Sequence, residues 1–233
     1  MSFSYGWRGP NIVKDGLVLY LDPGSPNSYF NKSSTTIKDI SGYGNNGTMV
    51  NGPTYTTNGG GGISFDATDD YISINPINAS TQVTLNFWFK VTNTPPDYVG
   101  LINKFNGLNG QRNRLLIQAN MLRMLFEVII GGVTYSINSD SFTNILNQNT
   151  MVTVTWDGSY VLMYVNGSSV MSTPYALTGT LDSGIVNPTI GWGADSNAYW
   201  FNGNIYNVLI YNRGLSPQEV LKNYNSTKSR FGI

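Results

Sequence analysis

Residues 84 to 91, TLNFWFKV, decide the fold class, because apolar and polar positions alternate along them with a period of two. Leu85, Phe87, Phe89 and Val91 share one face, and Thr84, Asn86, Trp88 and Lys90 share the other, as successive side chains of a pleated strand do. The segment reads as a central strand. Outward from it, Leu122, Met124, Phe126, Val128 and Ile130 repeat the same period. After Gly131-Gly132 the set Val133, Tyr135 and Ile137 continues it, which signals a hairpin and excludes a helix. MVTVTW (151 to 156) and YVLMYV (160 to 165) flank Asp157-Gly158, and Asn166-Gly167 supplies the next turn of a meander. LVLYL (17 to 21), bounded by Gly16 and Asp22-Pro23, has the form of a buried strand, and TIGW (189 to 192) and NIYNVLIY (204 to 211) are the last strands. One helix is expected, in LSPQEVLKNYN (215 to 225). Ser216 is its N-cap, Pro217 its first residue and Glu219 the partner in a capping box, with Leu215 and Val220 spaced as a hydrophobic staple.

Composition agrees with a chain that turns often: 26 Gly, 10 Pro and 29 Asn among 233 residues. The glycine run at 59 to 62 lies between two strand segments and reads as a loop, and no linker or fixed-period repeat divides the chain. The expected organisation is an N-terminal arm (1 to 15), one domain (16 to 225) and a C-terminal tail (226 to 233). Thirteen basic side chains against 13 acidic ones leave a formal charge of zero, so there is no electrostatic case for nucleic acid or an anionic membrane. No apolar run is long enough to enter a bilayer, and MSFSYGWRGPNIVKDG lacks the apolar centre of a signal peptide. The expectation is synthesis in a cytoplasm without the secretory route. Cys and His are both absent, which removes disulfides, thiol nucleophiles, imidazole metal ligands and triads that use imidazole as base.

The order of GLVLYLD (16 to 22), DISGYGNNGT (39 to 48), FDATDDYISI (65 to 74), LNFWFK (85 to 90), WDGSYVLMYVNG (156 to 167) and FNGNIYNVLIYNRGLSPQEV (201 to 220) resembles the concanavalin A-like lectin and laminin G-like superfamily. The likeness is to its bacterial and viral laminin G-like form and covers residues 16 to 225. It implies an all-β, antiparallel two-sheet jelly-roll sandwich with one short C-terminal helix. Gly42, Gly44 and Gly47 are then expected to supply positive φ in a compact loop, and Phe201, Ile205, Val208 and Ile210 to be core. The ending NRGLSPQEVLKNYNSTKSRFGI resembles the C-termini of structural proteins of tailed phages.

Hydrolases of this superfamily carry acidic residues two to four apart on one strand face, whereas the Glu residues here are Glu127 and Glu219 alone. Glu127 has no acidic neighbour and Glu219 belongs to the helix cap, so no catalytic residues are assigned and a non-enzymatic role is expected. Asp66, Asp69 and Asp70 are the candidate metal ligands, since Ca²⁺ takes carboxylate and carbonyl oxygens and members of the family often hold one such ion. The alternative is that Asp66 and Asp69 cap turns while Asp70 accepts from backbone amides. The family commonly has Gly where this chain has Ala67, which bears on the geometry of that loop. Asp22, Asp39 and Asp157 read as turn residues.

For sugar binding the candidates are Trp192, Asp195, Asn197, Tyr199 and Trp200, with Tyr98 and Tyr43 as further aromatic surfaces; packing at the rim is the alternative reading. Asn-x-Ser/Thr triplets at Asn31, Asn46, Asn78, Asn166 and Asn225 are read as chance in so Asn-rich a chain. Two functional expectations stand together. One is a structural protein of a phage virion, such as a head decoration, head fibre or tail appendage, in an oligomer or in many copies. In it Phe3, Tyr5 and Trp7 of the arm and Arg230 and Phe231 of the tail would dock on neighbouring virion proteins. The other is a carbohydrate-binding module for a host or environmental glycan, with or without Ca²⁺.

Overall fold

The computed structural model describes residues 11–77, 79–93, 98–105, 107, 113–118, 122–193 and 199–233. The chain forms β1 (Leu17–Leu21), β2 (Thr36–Ile37), β3 (Gly47–Val50), β4 (Thr54–Thr56), β5 (Gly62–Asp66) and β6 (Tyr71–Ser73). Next come β7 (Val83–Val91), β8 (Tyr98–Asn103), β9 (Arg114–Gln118), β10 (Met124–Ile130) and β11 (Val133–Asn138). They are followed by β12 (Thr150–Trp156), β13 (Tyr160–Val165), β14 (Ser168–Ser169), β15 (Tyr175–Ala176), β16 (Thr189–Ile190), β17 (Asn202–Tyr211) and the helix α1 (Pro217–Thr227). One sheet runs β14-β13-β12-β7-β17-β5-β4, with β1 also on β17 and β15 also on β13; the other runs β11-β10-β9-β8-β16-β6-β3-β2. Every pairing is antiparallel. This is the two-sheet jelly-roll sandwich that the family resemblance implies, built from the strands that the alternating segments predict.

The period of two explains the core directly. β7 lies between β12 and β17, and its Leu85, Phe87, Phe89 and Val91 meet Met124, Phe126 and Val128 of β10 between the sheets. Phe201, Ile205, Val208 and Ile210 join the same core. Turn chemistry sets the registers: Gly131-Gly132 places Ile130 opposite Val133, and Asp157 Oδ1 accepts from the amides of Ser159 at 2.8 Å and Tyr160 at 2.7 Å. Gly42 and Gly44 have φ of 102° and 77° as expected, whereas Gly47 keeps negative φ and is small for the sake of packing. A Cβ there would stand 2.7 Å from Ile72 Cγ2.

The second face of β7 carries Thr84, Asn86 and Trp88. All three are buried, because α1 and both described chain ends lie over them and build a second apolar cluster. The Trp88 ring stacks on Phe231 at 4.1 Å and on Tyr224 at 5.8 Å, and its Nε1 donates to Thr227 Oγ1 at 2.8 Å. The expected cap holds α1 in place, with the Ser216 amide donating to Glu219 Oε2 at 2.9 Å and the Glu219 amide to Ser216 Oγ at 3.3 Å. Arg213 grips the same carboxylate through both terminal nitrogens and holds its pKa down at about 2. Leu215 and Val220, the staple pair, are both buried in this cluster.

Both described chain ends are fastened to the sandwich. Arg230 and Phe231 do not reach outward: Phe231 fills the space over Trp88 and Tyr206, and Arg230 Nη1 pairs with Asp22 Oδ1 at 2.7 Å while Nε donates to Gly59 O at 2.8 Å. A Cβ at Gly24 would collide with Arg230 Nη2, so glycine at that position is what lets the guanidinium enter. Residues 11 to 15 are likewise fastened, with Ile12 and Val13 buried, the Val13 amide donating to Asn223 Oδ1 at 2.8 Å and Tyr211 Oη donating to Val13 O at 3.1 Å. The arm residues Phe3, Tyr5 and Trp7 lie outside the described residues. Among the described residues no helix is long and apolar enough to cross a membrane.

Phe231→Ala is expected to lower the free energy of unfolding by about 3 kcal/mol, as truncation of a buried aromatic does. Chemical denaturation measures it, and an unchanged midpoint would show that the stack on Trp88 is not holding the tail.

Candidate functional site

On the second sheet, alternation sends Ile72, Leu115, Ile117, Phe126 and Val128 inward, and so places Tyr71, Arg114 and Glu127 on the outer face. Trp192, just beyond β16, and Trp200, just before β17, form an isolated bridge across the neck of the intervening loop. Their rings stack at 4.9 Å with planes 12° apart, and Tyr71 lies against Trp192 at 5.8 Å. Tyr199 packs edge-on against Tyr98 at 5.3 Å. Of the sequence candidates, Trp192 and Trp200 thus come together with Tyr71, and Tyr199 comes together with Tyr98. Asp195 and Asn197 lie outside the described residues. Tyr43 is exposed on a separate loop that Asp39 ties to β1, accepting from the amides of Tyr20 and Ser41 at 2.9 Å.

Close backbone contact presses the neck of the loop onto the sheet. A Cβ at Gly100 would collide with Gly193 N, and the Gly100 amide donates to Tyr199 O at 2.9 Å. Arg114 then locks it: Nη1 donates to Gly193 O at 2.8 Å, and its guanidinium lies 5.6 Å from the centre of the Tyr199 ring. Glu127 opposes Arg114 across β9 and β10, pairs with Arg114 Nε at 2.5 Å and accepts from Ser136 Oγ at 2.7 Å. Sequence reasoning had no role for Arg114, whose signal was the lone Glu127 in an apolar strand: a buried carboxylate there needs a cation on the facing strand.

The group also concentrates strain. Tyr199 and Lys104 both hold left-handed backbone, at φ of 62° and 55°, and Lys104 Nζ lies 5.9 Å from the Trp192 ring centre. Bulky residues adopt that conformation at a cost of about 1 kcal/mol or more, and such residues gather where a surface is held in one shape for use. Trp192 Nε1 is buried and has no hydrogen-bond acceptor among the described residues.

The acidic candidates come together as well. Carboxylate oxygens of Asp66, Asp69 and Asp70 lie within 4.8 Å of one another, with Asp70 buried and the other two exposed. Within the loop, Asp66 Oδ1 accepts from the Thr68 amide at 2.8 Å and Asp70 Oδ2 accepts from the Asp66 amide at 3.1 Å, as the turn reading expects of those two residues. Burial, reinforced by the charges of Asp66 and Asp69, pushes the Asp70 carboxyl above its ordinary range despite that amide. An oxygen-only triad of this kind suits a hard cation such as Ca²⁺. The loop adjoins the aromatic group, since Asp70 precedes Tyr71 and the Ala67 amide donates at 3.1 Å to the carbonyl of Phe201, the residue after Trp200. Ala67 itself has φ of 68°, the conformation that favours glycine.

A family model described as the concanavalin A-like lectin/glucanases superfamily matches residues 66–221. No curated protein sequence matches the chain. Among solved structures, the binding domain of Paraclostridial Mosquitocidal Protein 1 is similar at a TM-score of 0.70 and 19% identity, over 91% of this chain and 52% of that one. The botulinum neurotoxin type G receptor binding domain is similar at 0.64 and 18%, over 91% and 51%. Trypanosoma rangeli sialidase in complex with the inhibitor DANA is similar at 0.65 and 17%, over 91% and 33%. The chain therefore spans about half the length of the toxin domains and a third of the sialidase, and the likeness is one of fold.

Ala67→Gly is expected to stabilise the protein by about 0.5 to 1 kcal/mol, because relief of the left-handed strain outweighs the added freedom of the unfolded chain. Equilibrium denaturation checks it, and a variant no more stable than the parent would mean that the acidic loop carries no such strain.

Proposed function

The chain belongs to the concanavalin A-like lectin/glucanases superfamily, and from that premise we propose that it is a non-enzymatic glycan-binding unit carried on the surface of a tailed-phage particle. The observation that carries the binding reading is the aromatic group around Trp192 and Trp200, held in strained backbone on the outer face of the second sheet. The C–H faces of a pyranose ring are apolar and pack on indole and phenol rings, while its hydroxyls need polar groups close by. Lys104, whose Nζ lies 5.9 Å from the Trp192 ring centre, and Asp195 and Asn197, which lie between Trp192 and Trp200 in the sequence, are the residues for that second task. Ca²⁺ at Asp66, Asp69 and Asp70 would neutralise those carboxylates and stiffen the loop that leads into Tyr71.

Binding without catalysis is favoured because Glu127 is occupied by Arg114 and Ser136, whereas glycoside hydrolysis uses two carboxyl groups facing a scissile bond. The similar toxin structures, a binding domain and a receptor binding domain, support this reading. The virion setting rests on the resemblance of residues 212 to 233 to phage structural proteins. Within it Phe3, Tyr5 and Trp7 are the residues left to dock on a neighbouring virion protein, now that Arg230 and Phe231 are committed within the domain.

On a glycan array with Ca²⁺ present, the parent chain is expected to select a subset of glycans, and Trp200→Ala to weaken that binding by about tenfold or more, the loss of one stacking contact. Equal binding by parent and variant would remove the site. Immunogold electron microscopy of a phage lysate is expected to label particles, and deletion of residues 2 to 10 to abolish the labelling while the domain stays folded. Unlabelled particles beside free antigen would contradict the virion setting.

A further inference from the structure

The margins of the two sheets are unequal. Among the described residues, β2, β14 and β15 are two residues long and β4 is three, and short edges of this kind offer little to a passing strand. The outer side of β1 is covered by the loop after β2, whose Ile40 amide donates to Tyr20 O at 3.0 Å and whose Asn45 Nδ2 donates to Val18 O at 2.9 Å. β11 is the exception. Its six residues, VTYSIN, carry no charge and no proline, and its register with β10 runs from Ile130↔Val133 to Leu125↔Asn138 without a bulge. Val133, Thr134, Ser136 and Asn138 are exposed.

The tight hairpin at Gly131-Gly132 makes Val133, Tyr135 and Ile137 the residues that exchange hydrogen bonds with β10, so the N–H and C=O groups of Thr134, Ser136 and Asn138 point away from the sheet. We propose that a second copy of this chain pairs with β11 in antiparallel fashion across a two-fold axis at Ser136, joining the second sheets of two molecules into one. The sequence is self-complementary in that register. Ser136 meets Ser136, Thr134 meets Asn138, and Tyr135 meets Ile137, an aromatic opposite a β-branched residue with no like charges opposed. A formal net charge of zero adds no long-range repulsion between copies. An axis of this kind is normal to the sheet and keeps equivalent faces on the same side. Four strand spacings separate β11 from β16, so the two aromatic groups would face one way about 40 Å apart, a spacing suited to repeated glycans on a surface. That last consequence rests on the glycan-binding reading; the pairing itself does not.

The test uses sedimentation equilibrium of the full chain. The parent is expected to have twice its 25.6 kDa mass, 2 × 25.6 = 51.2 kDa. Thr134→Lys with Asn138→Lys, and separately Thr134→Glu with Asn138→Glu, place like charges opposite each other and are each expected to self-associate at least about tenfold more weakly. Mixed in equal amounts, the two variants are expected to recombine as a heterodimer, because each introduced ammonium then faces an introduced carboxylate across the axis. A monomeric parent would overturn the proposal, as would variants that stay dimeric, or folded monomeric variants that do not recombine.

Discussion

The stack of Phe231 on Trp88 is the contact to which the rest of the arrangement is tied. β7 is the middle strand of its sheet and would ordinarily bury one face, but Trp88 points away from the main core and must be covered from outside. The helix and Phe231 converge on that indole, Val13 is fastened to the helix through Asn223, and Arg230 closes the cover by pairing with Asp22 at the end of β1. Burying a large aromatic pair contributes several kcal/mol in a typical domain, a sizeable share of a net stability of about 5 to 15 kcal/mol. The Trp88 side chain is thereby buried, and the aromatic rings around Trp192 and Trp200 lie with the other sheet.

On that other face the same economy holds at smaller scale. One buried ion pair, Arg114 with Glu127, ties three strands and the neck of the 193–199 loop together, since Arg114 also donates to Gly193 and lies beside Tyr199. A buried pair of this kind adds little net stability, and its value is geometric: it fixes one loop position in a chain with few charges. Strain at Tyr199, Lys104 and Ala67 is the counterpart, local cost accepted where the surface must keep its shape.

Much of this was legible in the sequence. The period of two in TLNFWFKV, the Asp-Gly and Gly-Gly turns and the Ser216-Pro217-Glu219 cap each depend on neighbours close in the chain, and each appears where the pattern places it. Alternation tells which residues share a face and is silent on what covers that face, so nothing in the pattern put α1 and Phe231 over Thr84, Asn86 and Trp88. Arg114 was missed for a related reason: its partner is set by the pairing of β9 with β10, a long-range register that no short motif encodes. The Asp66, Asp69 and Asp70 group was found because loop residues three or four apart are neighbours in space as well.

The central claim, that the Trp192 and Trp200 surface binds a glycan, is tested most directly by fluorine NMR of the chain labelled with 5-fluorotryptophan and titrated with a glycan selected on the array. The five tryptophans report separately on the surface pair, on Trp88 and Trp156 in the two fully buried clusters, and on Trp7 in the arm. The account predicts that the Trp192 and Trp200 resonances shift in a saturable way while those of Trp88 and Trp156 stay fixed. Resonances of Trp192 and Trp200 that do not move at saturating glycan would contradict it.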